Sequence, residues 1–178
     1  MTTLFPAPAP VPSRAAGPTP SQTVGPFFGY ALPYPGGPDL VGEGHPGAIT
    51  ITGRVLDGAG EPVPDALLEL WLGETGTGGA LDRTGEGVSG FGRCPTEPDG
   101  SYRFRTARPA GPYFALLVFA RGLLRSVATR IYLEDGPDPL LDALDPARRA
   151  TLIAEPDGEG YRFDIRLQGE KETVFLEF

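Results

Sequence analysis

Between Gly111-Pro112 and Arg121-Gly122 the chain reads YFALLVFA, eight apolar or aromatic residues without interruption. A membrane-crossing helix needs about 20 such residues, so the run is too short to span a bilayer. Its length and its flanking turn residues make it a core strand buried on both faces. Arg121 ends the run, at a place where a buried guanidinium can hold a carboxylate through two parallel hydrogen bonds, and it is the first candidate functional residue. The strand itself carries no His, Cys, Asp or Glu, so any proton transfer or metal ligation must come from other residues.

The segments around it are also strand-like. Ile49 and Ile51 alternate with Thr50 and Thr52 and lead into Gly53-Arg54-Val55-Leu56, and Asp57-Gly58-Ala59-Gly60 makes a turn. After Pro62 and Pro64 comes a largely apolar second strand from Ala66 to Leu72. Residues 73–98 hold eight glycines and no periodicity, which predicts a long surface loop of the kind that is often functional or interfacial. Pro98-Asp99-Gly100 turns the chain into a third strand, where Tyr102 and Phe104 alternate with Arg103 and Arg105. YFALLVFA is the fourth. In the fifth, Val127, Thr129, Ile131 and Leu133 share one face while Ser126, Ala128, Arg130 and Tyr132 share the other. Tyr161, Phe163, Ile165 and Leu167 mark a sixth strand and Thr173 to Phe178 a seventh. Asp138-Pro139 and Asp145-Pro146 each put an N-cap residue before a first-turn proline, predicting short helical turns over 139–144 and 146–153.

The pattern predicts an all-β fold, an antiparallel β-sandwich over residues 48–178 with Trp71 in its core. Eleven of the 21 prolines fall within residues 1–46, so residues 1–47 read as an extended proline-rich arm outside the sheets. Within it SQTVGPFFGY, residues 21–30, moves from small polar residues through Gly25-Pro26 to the paired rings Phe27 and Phe28. Aromatic rings in an irregular segment need cover, and these pin the arm to the core.

A net charge of −8 argues against nucleic acid or an anionic membrane as the main partner. One cysteine, Cys94, rules out an internal disulfide and fits a reducing cytoplasm, and the N-terminus lacks the charged and apolar regions of a signal peptide. One histidine, His45 between Gly44 and Pro46, reads as a solvated loop residue, so this chain cannot build a His-rich metal site and has no base for a serine nucleophile. Glu74, Asp82, Glu86 and Glu97 read as solvated loop charge, and no glycine motif opens a phosphate-binding helix. No catalytic residue and no metal ligand is therefore assigned. Composition and strand pattern leave open a stand-alone β-sandwich that binds a ligand.

Longer stretches carry more. SQTVGPFF, GRVLDGAGEPVPDALLELW, FGRCPTEPDGSYRFRT, LLVFARGLL, TRIYLED and YRFDIRLQGEKETVFLEF resemble, in that order and over about residues 21–178, the intradiol ring-cleavage dioxygenase family. Within it they are similar to the α chains of members built from α and β chains. The resemblance implies a hetero-oligomer of αβ pairs in which each β chain holds one non-haem ferric iron, Fe(III), through two tyrosines and two histidines. It implies a small aromatic substrate, 3,4-dihydroxybenzoate, cleaved with O₂ to 3-carboxy-cis,cis-muconate. It also implies an α chain free of iron ligands, whose arm and one arginine wall the β chain's pocket. The positions that carry over as substrate-binding are Thr23, Gly25, Pro26 and Arg121. Iron-binding relatives carry His-x-His where this chain reads Tyr113-Phe114-Ala115, and Gly79 falls near the place of a ligand tyrosine. The segment from Thr106 to Pro112 is short beside such α chains.

Overall fold

The computed structural model describes residue 25, residues 27–72 and residues 87–177. Among these residues nine strands and three short helices follow in the order α1 (Phe28–Ala31), β1 (Ala48–Leu56), β2 (Leu67–Trp71), β3 (Phe91–Pro95), β4 (Ser101–Ala107), β5 (Tyr113–Phe119), β6 (Val127–Tyr132), α2 (Pro139–Asp142), α3 (Pro146–Ala150), β7 (Glu155–Asp157), β8 (Gly160–Arg162) and β9 (Ile165–Arg166). They form two sheets, one ordered β4-β1-β8-β7 with β9 also against β1, the other ordered β3-β2-β5-β6. The pairings are antiparallel except that β8 and β9 run parallel to β1. The inner faces meet over Ile51 and Val55 of β1, Leu68 and Leu70 of β2, Phe104 of β4, and Phe114, Leu116 and Val118 of β5. Fully burying each such side chain is worth ~1.5–3 kcal/mol.

β5 is not buried on both faces. Phe114, Leu116 and Val118 are fully buried, but Tyr113, Ala115, Leu117 and Phe119 are only half-covered. The strand is central in its sheet, yet only one face of that sheet meets the other sheet. Because the second face is also apolar, the alternation is invisible in the sequence. Trp71 lies on this second face, opposite Ala115, and is 38% exposed rather than part of the core.

Part of the long loop is a strand. β3 pairs with β2 from Phe91↔Trp71 to Pro95↔Leu67. Gly90, Gly92 and Pro95 hide it in the sequence, and Gly92 is glycine for a tertiary reason: a Cβ there would collide with Leu40. Leu40 belongs to the arm, which is tied into the sheets more closely than an extended arm outside them. The Gly37 carbonyl accepts from Arg93 N at 2.8 Å and the Pro38 carbonyl from Arg105 N at 3.0 Å; Leu40 N donates to the Arg105 carbonyl at 2.7 Å. Residues 37–41 thus run between β3, the edge of one sheet, and β4, the edge of the other, and close that side of the sandwich.

The sixth strand splits in two because Asp164 interrupts it, its Oδ1 accepting the Arg54 N–H at 3.0 Å in place of a main-chain partner. The expected seventh strand is reduced to a bridge between Leu176 and Ala128. Hydroxyls take over the adjoining main-chain groups: Thr129 Oγ1 donates to the Val174 carbonyl at 2.7 Å, and Thr151 Oγ1 accepts from Val174 N at 3.1 Å. Asp138 and Asp145 cap α2 and α3, accepting from Leu140 N at 2.8 Å and from Ala147 N at 3.0 Å. Beneath these helices Tyr132, Leu141, Leu152 and Val174 form a second apolar cluster.

Tyr102 is buried and donates its hydroxyl to the Phe163 carbonyl at 2.5 Å, a contact that Gly53 leaves room for. Tyr102→Phe is expected to lower stability by ~1–3 kcal/mol, read from denaturant unfolding, because a buried carbonyl loses its donor. At Asp138 burial opposes ionisation, but the Leu140 N–H, the Tyr132 hydroxyl and Arg130 outweigh it and hold the carboxyl below the usual range. A depressed folded-state value makes this stabilisation complete above about pH 4 and lost as pH falls below it. Asp138→Ala should therefore cost about 1 kcal/mol at neutral pH, with the gap in Tm from wild type narrowing on acidification.

Candidate functional site

The second face of the β3-β2-β5-β6 sheet holds the candidate site. Glu69 is the one acid in the apolar run of β2, and period-2 geometry points it away from Leu68 and Leu70, onto this face. It is buried there beside Arg93 of β3, its direct cross-strand neighbour. Arg93 Nε and Nη2 both donate to Glu69 Oε1, at 2.9 and 2.5 Å. Its Nη1 donates to the Leu32 carbonyl at the end of α1, at 2.8 Å. The guanidinium carbon lies 5.3 Å from the Phe91 ring centroid and 5.8 Å from that of Tyr34. Burial pushes the Tyr34 phenol above its ordinary pKa, against the lowering pull of Arg93. Two hydrogen bonds to one carboxylate oxygen and one to a main-chain carbonyl hold the guanidinium in a single plane.

The arm lies across this face. Phe28 is buried with its ring 6.2 Å from that of Phe119, so one of the expected pair of rings does pin the arm. Phe27 and Tyr30 point outward, 74% and 85% exposed. Gly25 is in the left-handed region at φ +71°, with open space where a Cβ would stand. Thr23 and Pro26 lie outside the described residues.

Gly25 lies three residues before Phe28 and Arg121 two residues after Phe119, on either side of that ring contact in the sequence. Arg121 is not a buried guanidinium. It stands beyond the end of β5 with its side chain 71% exposed, because the strand ends at Phe119 and Gly122 turns the chain away. Its Nε donates to Asp65 Oδ2 at 2.6 Å and its Nη2 stands 2.5 Å from the same oxygen as an ion pair, and among the described residues Nη1 donates to none. Asp65, in the turn before β2, could not be picked out in the sequence because it is 56 residues from Arg121. Glu69 had a signal, an acid inside an apolar strand, whereas Arg93 sat in a stretch read as loop.

At the other end of β5 the residues do not fit a ferric ion. The guanidinium of Arg130 lies 3.9 Å from the Tyr113 ring centroid, donates to the Tyr132 hydroxyl at 3.1 Å and stands 3.6 Å from Asp138. A fixed positive charge therefore covers the ring where a ligand would have to open, and Ala115 offers no donor atom. Among the described residues no three His, Cys, Asp or Glu side chains come together as metal ligands. His45 is half-buried rather than solvated, and its Nδ1 is buried without a hydrogen-bond partner among the described residues. No helix among the described residues is long and apolar enough to cross a membrane.

Two stacked sheets closed on one side by a tied arm form a β-sandwich. A family model described as Dioxygenase matches residues 39–116, from the arm segment beside β4 to the middle of β5. A solved structure, the dioxygenase domain of a dioxygenase–carbohydrate-binding protein fusion from Streptomyces sp. SirexAA-E, is 31% identical. It covers 86% of this chain and 99% of its own, with a TM-score of 0.52. The protocatechuate 3,4-dioxygenase alpha chain of Burkholderia cepacia is 36% identical over 194 aligned positions, covering 89% of this chain and 96% of the relative. The beta chain from the same organism is 28% identical over 156 positions, 70% of this chain and 66% of the relative. The chain belongs to the intradiol dioxygenase family, among the protocatechuate 3,4-dioxygenase alpha chains.

If Phe28 pins the arm, Phe28→Ala should speed amide hydrogen exchange at Tyr30, Ala31 and Leu32 by more than about tenfold, with exchange in β5 unchanged.

Proposed function

We propose that this chain is the α subunit of a protocatechuate 3,4-dioxygenase and works paired with a β chain of related fold. The observation that carries the reading is the match to an α chain over 96% of that relative's length. The reaction inserts O₂ between the two hydroxyl-bearing carbons of 3,4-dihydroxybenzoate and gives 3-carboxy-cis,cis-muconate. The iron belongs to the partner β chain, a placement supported by the poor fit of this chain's own residues to a metal. When bound there, ferric iron supplies the redox chemistry that activates the catechol toward O₂. The assembly works in the cytoplasm, in keeping with an acidic chain that has a single, buried cysteine.

This chain's residues donate no proton and hold no metal in the proposed reaction. They bind, orient and exclude water. Thr23, Gly25 and Pro26 wall the partner's pocket, where the left-handed Gly25 lets the chain turn tightly without a side chain. Arg121 faces the substrate carboxylate. Its support is an exposed guanidinium anchored along one edge by Asp65, with Nη1 still able to donate to a second anion.

Purification of the chain alone and co-expressed with its β chain tests the reading. The chain alone should be colourless and without 3,4-dihydroxybenzoate-dependent oxygen uptake, and the αβ complex should be iron-coloured and active. Iron and activity in the chain alone, or a monomer that ignores β, would overturn it. In the complex Arg121→Ala should raise KM about tenfold with iron content unchanged, the loss expected for one charge-assisted hydrogen bond.

A further inference from the structure

The charges of buried Glu69 and half-buried Arg93 take no part in the functions assigned so far, and an ion pair largely withdrawn from water is weak as a source of stability because desolvation offsets its attraction. Its geometry has another use. Two of the three guanidinium nitrogens of Arg93 are committed to one oxygen of Glu69, which fixes the plane of the fork. That leaves Nη1 aimed off the sheet, and it holds the Leu32 carbonyl at 2.8 Å. Leu32 ends α1, and its own N–H closes back onto the Phe28 carbonyl at 3.2 Å, so the single turn is held at both ends, by Arg93 at Leu32 and by the Phe119 ring at Phe28. Arg93 N also donates to the Gly37 carbonyl at 2.8 Å, five residues further along the arm. One residue of β3 thus fixes the arm at two points on the sandwich side of residues 23–26.

We propose that Glu69 and Arg93 are positioning residues for the substrate pocket, a clamp that sets the direction in which the arm leaves this chain and so where Gly25 and Pro26 stand in the partner's pocket. The inference rests on the α-subunit reading. Glu69 orients Arg93, Arg93 orients α1, and α1 delivers the arm tip. Neither residue touches substrate.

Arg93→Lys separates the clamp from stability, because an ammonium keeps a positive charge beside Glu69 but cannot donate from a planar fork to both Glu69 and Leu32. Two readouts on the wild-type and Arg93→Lys proteins decide it. In the chain by itself, chymotrypsin cleavage after Phe27 and Tyr30 should become about tenfold faster, with the unfolding midpoint little changed. In the αβ complex, KM for 3,4-dihydroxybenzoate should rise about fivefold or more with kcat within about twofold and iron content unchanged. In a Gly25→Ala background, where a side chain strains the left-handed turn at φ +71°, Arg93→Lys should add nothing further to KM. Unchanged cleavage would overturn the clamp, whether or not the complex is active. Faster cleavage with unchanged KM, or a KM effect that persists in full beside Gly25→Ala, would overturn its link to the pocket. A wild-type complex that takes up no oxygen would instead sink the α-subunit reading, leaving the cleavage result to judge the clamp by itself.

Discussion

The pairing of β5 with β2 is the constraint on which the rest of the structure depends. Leu116 and Val118 lie opposite Leu70 and Leu68, and these four side chains, with Phe114, face the other sheet and exclude water from it. Because side chains alternate strictly along a strand, the same register sends Glu69, Trp71, Ala115, Leu117 and Phe119 to the opposite face. A slip by one residue would bury Glu69 in the sandwich core and expose Leu68 and Leu70. The hydrophobic demand of one face thus decides which residues are presented on the other, and that second face is where the arm, the ion pair and the end of β5 meet.

That second face is apolar but unsealed. The arm covers part of it through Phe28 and the Arg93 clamp, and leaves Trp71 partly exposed and Phe27 and Tyr30 pointing outward. Large exposed aromatics beside a half-covered sheet face suit a chain that works against a protein partner, in agreement with the proposed αβ pairing. The same arm segment, at residues 37–41, joins the edges of both sheets. Main-chain hydrogen bonds that would otherwise leave two edge strands open are used to anchor the arm.

At the start of β5 the side chains are poorly suited to a metal ion. Tyr113 is packed under Arg130, whose Nη1 donates to the Tyr132 hydroxyl and lies 3.6 Å from Asp138, so a guanidinium supplies a fixed positive charge there. In the proposed reaction a chain built this way contributes by shape and position. The guanidinium of Arg121 at the far end of the same strand is different, since it is anchored along one edge only and faces outward.

Much of this was legible from the sequence, because strand alternation, proline and glycine punctuation, N-cap aspartates and a residue inventory are local or countable. They determined two sheets of short strands, the starts of α2 and α3 at Asp138 and Asp145, and a chain too poor in histidine for a His-rich metal site. Long specific stretches such as VFARGLL added the family. Tertiary structure alone decided the rest. It separated the covered face of β5 from the half-covered one, moved Trp71 outward, made a strand of Phe91–Pro95 among glycines, and paired Arg121 with Asp65 and Arg93 with Glu69. The reason is physical: an apolar residue shows that it needs cover but not which face provides it, and a charged side chain does not show which distant opposite charge the folded sheet will bring beside it.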